Sequence, residues 1–213
     1  MITAFKKTNI YLTLSAVLII IGLILLKLKD KIDFHLFINR THSDFQDVFF
    51  KWITYAGDGT VLAIASALLV IIFWEKYKYS VLTFAALNLI LVAGIVQTLK
   101  RVIYFDAFRP AKFIGHDLLY LVPGVDIHTD NSFPSGHTTA AFAFFAFLAL
   151  LLHRKKWMQV VCLIMAALAG YSRMYLSQHF LEDVVAGASI GICCFLATYL
   201  IVSVIPFKDN ITK

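Results

Sequence analysis

The sequence predicts an all-α protein, a polytopic bundle of six transmembrane helices whose polar chemistry collects at one membrane face. Three observations carry this expectation. The 213 residues are 60% hydrophobic and only 15% charged, with a mean hydropathy of +0.80, far from the balance of soluble globular chains. The apolar residues gather into runs near the roughly 20 residues that an ~30 Å hydrocarbon core requires. Between the runs stand short turns that carry lysine and arginine, as expected between membrane spans.

The first apolar run, about 10–26, follows Lys6 and Lys7 and ends in KLKDK instead of a small-residue cleavage site. It reads as an uncleaved first span. Residues 27–59 are polar, yet Phe34, Phe37, Phe45, Phe49, Phe50 and Trp52 recur at about helical spacing, which predicts an amphipathic segment at the membrane surface. Asp58-Gly59-Thr60 then caps a second span, about 60–74. The turn EKYKY leads to a third, about 80–99. Residues 100–134 form the longest polar connection, of a length that often has a function. A fourth span, about 137–152, is separated by the basic turn HRKK from a fifth, about 157–171. The sixth, about 183–205, ends at Pro206 and contains Gly187-x-x-x-Gly191, a pattern for close helix packing. The chain, 1–213, reads as a single membrane-embedded domain.

Six spans put both termini on one side, together with Lys6, Lys7, Lys76, Lys78, Arg154, Lys155, Lys156, Lys208 and Lys213. The positive-inside rule places that side in the cytoplasm. The net charge of +6 is scattered over short loops and forms no long basic tract, which argues against a nucleic-acid partner. Cys162, Cys193 and Cys194 all fall within apolar runs and read as small packing residues.

The same alternation puts three polar clusters on the opposite face: KRVIYFDAFRP (100–110), PSGH (134–137) and SRMYLSQHFLED (172–183). In the second, Pro134 and Ser135 are ordinary helix-start residues. Free N–H groups at a helix N-terminus also bind anions, and Gly136 lets a ligand approach the backbone. In the third, a helix already formed at His179 would carry Asp183 one turn further on the same face. A carboxylate there would fix the imidazole tautomer and free Nε2 as a base or nucleophile. Lys100 or Arg101, Arg109 and Arg173 would complete a cradle for a phosphate.

These residues resemble the signature of the type 2 phosphatidic acid phosphatase superfamily, which also includes the vanadium haloperoxidases. That signature is a lysine separated by six residues from Arg-Pro, then Pro-Ser-Gly-His, then Ser-Arg, five residues, His, three residues and Asp. Pro134–His137 and Ser172–Asp183 match the second and third parts in full. The first part departs: eight residues separate Lys100 from Arg109-Pro110 and seven separate Arg101 from it. Positions nine apart on an unbroken helix point to opposite faces, so Lys100 and Arg109 share a phosphate only if the helix ends between them. Pro110 favours that, because it holds Arg109 out of the α region.

The resemblance implies a lipid phosphatase of the cytoplasmic membrane with its site on the outer face, acting through a phosphohistidine on phosphatidic acid, phosphatidylglycerol phosphate, a polyprenyl pyrophosphate or a phosphorylated lipid A. His179, oriented by Asp183, would attack phosphorus. Lys100, Arg109, Arg173, Ser135 and Gly136 would bind the phosphate oxygens, and His137 would protonate the leaving group. It implies no metal and no cofactor, and as partners a lipid phosphate and the surrounding membrane lipids. A haloperoxidase-like enzyme and a non-catalytic protein that binds or transports an anionic lipid are the alternatives. A transporter should show charged or helix-breaking residues near mid-membrane; these are scarce, with Asn88 and Gln97 the main polar interruptions of the third span. His35, His42, His116, His128 and His153 are expected as solvated side chains.

Overall fold

The computed structural model describes residues 2–212, with side chains from residue 6. Among these residues the chain forms nine α-helices and no strand. Helix α1 (Ile2–Leu28) is kinked at Thr8, where the backbone leaves helical geometry. Peptide groups freed by a kink in an apolar phase must find partners. Gln159 supplies them: its Oε1 accepts from Tyr11 N at 3.2 Å and its Nε2 donates to Lys7 O at 2.9 Å.

The surface segment forms two short helices, α2 (Lys31–Arg40) and α3 (Asp44–Ile53), capped by Asp30 and Ser43. As its spacing predicts, α3 is two-sided, exposing Phe45, Val48 and Trp52 while Asp47 and Phe50 face the protein. A 3₁₀ turn, Thr54–Gly57, joins it to α4 (Gly59–Tyr77). Helix α5 (Tyr79–Thr98) widens into a π turn at Leu99–Ile103 and stops. The long connection contains α6 (Pro110–Ile114), and three helices follow: α7 (Gly136–Leu151), α8 (Lys156–Tyr175) and α9 (Leu181–Val204).

Five helical stretches are long and apolar enough to cross a membrane: Lys6–Leu28, Gly59–Tyr77, Tyr79–Ile103, Lys156–Tyr175 and Leu181–Val204. The remaining apolar helix, α7, has 16 residues, or ~24 Å at 1.5 Å per residue. All six expected apolar runs are helical, five of them long and α7 short. Helix α7 packs against α1, α4, α5, α8 and α9, so protein neighbours rather than lipid set its length.

The Gly187/Gly191 pair does the packing expected of it. A methyl group on Gly191 would lie 2.5 Å from Thr139 O, and one on Gly187 2.7 Å from Ser135 O, so α9 rests directly on the first turns of α7. Phe84 stacks on Phe147 at 4.8 Å in the core between α5 and α7. Asn88, the polar interruption of α5, donates to Ala143 O at 3.2 Å and meets Thr198 of α9. It is a buried cross-link between helices. Cys162 and Cys194 are buried as packing residues, whereas Cys193 is exposed.

Candidate active site

The ends of α5 and α8 and the starts of α7 and α9 meet around a cavity of about 550 Å³. Its walls include Lys100, Arg109, Gly136, His137, Arg173 and His179. Those residues come from all three polar clusters.

His179 lies in the connection before α9, not on the helix as the spacing suggested. Helix α9 starts only at Leu181. The contact with Asp183 forms all the same, because the Asp183 side chain folds back over the helix start. Its Oδ2 accepts from Phe180 N at 2.9 Å, from Ser132 Oγ at 2.5 Å and from His179 Nδ1 at 3.2 Å. With the ring proton held on Nδ1 by an acceptor, Nε2 carries the lone pair. His179 is 2% exposed. Burial, reinforced by the Arg109, Lys100 and Arg173 cations, holds its imidazole well below its ordinary range. A neutral imidazole with a free Nε2 lone pair is able to act as a nucleophile.

Each cation is held from behind. Lys100 Nζ donates to Asn131 O at 2.6 Å. Arg109 Nε donates to Asp130 O at 2.9 Å, and its Nη1 reaches Gln178 Oε1 at 3.0 Å and Gln178 O at 3.3 Å. Arg173 Nη1 donates to Thr54 Oγ1 at 2.7 Å, while its buried Nε has no partner among the described residues. An unpaired guanidinium N–H is costly in such surroundings, and an anion in the cavity would satisfy it. Of the two first-cluster candidates, Lys100 lines the cavity and Arg101 is exposed and does not. The helix does end between Lys100 and Arg109, at the π turn, and Arg109 is extended (φ −81°, ψ 163°) as Pro110 requires.

At the start of α7, Ser135 is 0% exposed and serves as the N-cap. Its Oγ accepts from Thr138 N at 3.4 Å and from Thr138 Oγ1 at 2.8 Å. The expected hydroxyl donor is thus turned into the helix, and Gly136 and His137 stand at the cavity wall in its place. His137 also faces an adjoining groove of about 420 Å³, lined by Leu62, Leu89, Val92, Ala93 and Ala140. Val96, Gln97, Gly136 and His137 border both spaces.

Of the histidines expected in solvent, His35 is buried, and His128 is exposed but borders the cavity. His35, on the inner side of α2, is 2% exposed, with Nε2 3.2 Å from Ser177 Oγ and its ring edge-on to Phe180. Burial pulls its pKa down to about 4, so it supports the His179 loop as a neutral group. His128 lines the cavity mouth, where burial and the nearby arginines lower its pKa. No group of three or more His, Cys, Asp or Glu side chains is arranged to hold a metal among the described residues.

A model of the PAP2 superfamily matches residues 81–205, more than half of the chain. The chain belongs to that superfamily. The crystal structure of Aquifex aeolicus LpxE is 31% identical and superposes with a TM-score of 0.65, covering 79% of this chain and 93% of that one. A transmembrane PAP2-type phosphatidylglycerolphosphate phosphatase from Bacillus subtilis, 21% identical, shares the fold over 98% of this chain and 100% of that chain, with a TM-score of 0.65. Among curated proteins, a lipid A 1-phosphatase of Rhizobium johnstonii is 33% identical over 50% of this chain and 42% of its own length. The phosphatidylglycerophosphatase B of Bacillus subtilis is 31% identical over 53% of this chain and 56% of its own length. The chain thus aligns with about half the length of these curated relatives.

Within this PAP2 fold, the structure adds residues that the sequence reading passed over. Ser132 donates to Asp183 and sits 3.4 Å from His179 Nδ1. Gln178 holds Arg109 and is itself anchored to Asp126 O at 3.0 Å. Thr54 holds Arg173. The polar run DNSF before Pro134 and the position of Gln178 next to His179 are the only local signals for the first two. Thr54 stands 119 positions from its partner and gives none.

Proposed function

We propose that this chain is a metal-independent membrane lipid phosphatase working through a phosphohistidine. The observation that carries the reading is the continuity of the two spaces at His137: a cavity with three cations and a neutral His179 adjoins an apolar groove. A lipid phosphate has that division of chemistry, with an anionic head and an apolar tail. The relatives named for lipid A, phosphatidylglycerophosphate and undecaprenyl diphosphate support the same class. Phosphatidic acid completes the candidate set.

In this reading His179 Nε2 attacks phosphorus while Asp183 keeps the ring in place. Lys100, Arg109, Arg173 and the N–H groups at the start of α7 bind the phosphoryl oxygens, with Ser135 fixing that helix end. They stabilise the charge that spreads over those oxygens in the transition state. His137 gives its proton to the departing oxygen, and water then cleaves the phosphohistidine. The whole chain forms one catalytic domain.

Release of phosphate from detergent-solubilised phosphatidic acid, phosphatidylglycerophosphate, undecaprenyl diphosphate and lipid A tests the reading. Wild type should release phosphate from at least one of them in excess EDTA and should be blocked by vanadate, a mimic of pentacoordinate phosphorus. Loss of activity in EDTA that Mg²⁺ restores would contradict it.

The positive flanks of the turns at 76–78 and 154–156 support cytoplasmic termini, with α7 completing a six-fold crossing and the cavity facing the outside of the cytoplasmic membrane. Labelling whole cells with an impermeant thiol reagent, in a Cys193→Ser background, reports this sidedness. A cysteine at the exposed Asp117 should react and one at the exposed Lys155 should not; the reverse pattern would invert the topology.

A further inference from the structure

Asp58 does two things with its two oxygens. Oδ1 caps α4, accepting from Thr60 N at 2.9 Å and Val61 N at 3.0 Å. Oδ2 is not needed for the cap and lies 3.9 Å from His137 Nε2. Gly57 makes this approach possible. A β-carbon there would stand 2.7 Å from His137 O, so the 3₁₀ turn before α4 rests directly on the first turn of α7.

The charged groups that line the cavity with His137 otherwise share one sign: Lys100 from the π turn after α5, Arg109 from the long connection and Arg173 from α8, with the His128 and His179 imidazoles beside them. Burial first, and then these cations, oppose a positive charge on the His137 ring, and Asp58 also faces Arg173. The other carboxylates at the site are committed elsewhere, Asp183 to His179, Ser132 and Phe180 N, and Asp130 to Lys112 at 2.6 Å and Thr129. Among the described residues, only Asp58 comes within ion-pair reach of His137.

We propose that Asp58 is the positioning residue that keeps His137 protonated, so that the acid is loaded when the leaving oxygen departs. The proposal rests on the reading of His137 as the general acid. A separation of 3.9 Å suits an ion pair but exceeds a hydrogen bond, so Asp58 favours the charge without taking the proton. In the step itself, the His179 Nε2–phosphorus bond forms and the bond from phosphorus to the leaving oxygen breaks. The His137 proton passes to that oxygen, and Asp58 remains a carboxylate throughout.

Asp58→Asn separates the two duties, because asparagine caps a helix as well as aspartate does but carries no charge. Phosphoenzyme formation is followed by rapid quench across pH, with dioctanoyl phosphatidic acid and with p-nitrophenyl phosphate. With phosphatidic acid, the alkaline limb of the variant should move to lower pH by about one unit, giving about a tenfold loss above neutrality. With p-nitrophenyl phosphate, whose leaving group needs no proton, the rate should be nearly unchanged, and this also shows that the variant is folded. Asp58→Glu should restore the limb. An unmoved limb, or an equal loss on both substrates, would overturn the role of Asp58. His137→Ala run in parallel locates any failure. If it discriminates between the leaving groups and Asp58→Asn does not, the acid stands and Asp58 falls. If His137→Ala does not discriminate either, the acid assignment falls and the proposal with it.

Discussion

His179→Ala should abolish turnover of every phosphate ester the protein accepts, by a factor on the order of 10⁴ or more, as loss of a covalent nucleophile does. The loss should be independent of the leaving group, because in the proposed mechanism the bond from Nε2 to phosphorus forms whatever departs. The variant should still bind the lipid, since Lys100, Arg109, Arg173 and the start of α7 remain in the cavity wall. Wild type and variant are therefore distinguished by phosphate release at saturating substrate, with inorganic phosphate or vanadate binding as the control for an intact cradle. The pH dependence has a defined sign. Burial and three cations hold the His179 imidazole well below its ordinary value of 6.5, so the nucleophile stays neutral, and competent, as the pH falls from 7 through 6.

His137→Ala gives the second large effect, and it depends on the substrate. A lipid alkoxide is a poor leaving group without a proton, and general acid catalysis is worth roughly 10²–10⁴-fold. Phosphoenzyme formation from phosphatidic acid should fall by that factor. Formation from an aryl phosphate, or from a lipid diphosphate whose leaving group is a phosphate monoester, should fall far less. Rapid quench of the first step is the required measurement, because His137 can also assist the attacking water in the second. An equal loss on every leaving group would make His137 a phosphate-binding residue.

Much of this was legible in the chain, and the parts that were not share a cause. Apolar runs located the helices because in lipid a span must be both long and continuous. The runs stopped short at 171, where the α8 helix continues to Tyr175, since Ser172 and Arg173 are polar residues buried by tertiary contact. The run at 137–152 returned as α7, and that it is packed on all sides by other helices was not legible because hydropathy does not say whether a run faces lipid or protein. The two complete motifs located His137, Arg173, His179 and Asp183, and the spacing put His179 beside Asp183 on the condition that the helix had already begun at His179. It begins at Leu181, and a side chain folded back over the helix start makes the contact instead. Asp58 was legible only as a cap, because its second duty is a contact across 79 positions with His137. Thr54, Ser132, Gln178 and His35 lie in polar segments where sequence alone predicts solvent. Only the packing of α2, α3 and the long connection over the cavity gives them partners.

Whether His179 carries the phosphoryl group is read directly from the phosphoenzyme. Detergent-solubilised protein is mixed with radiolabelled phosphatidic acid, quenched in alkali within the first turnover, digested and mapped. The expected result is a label on His179 that survives alkali, is lost in acid and is absent from His179→Ala. A labelled residue other than His179, or the same label in the alanine variant, would contradict it.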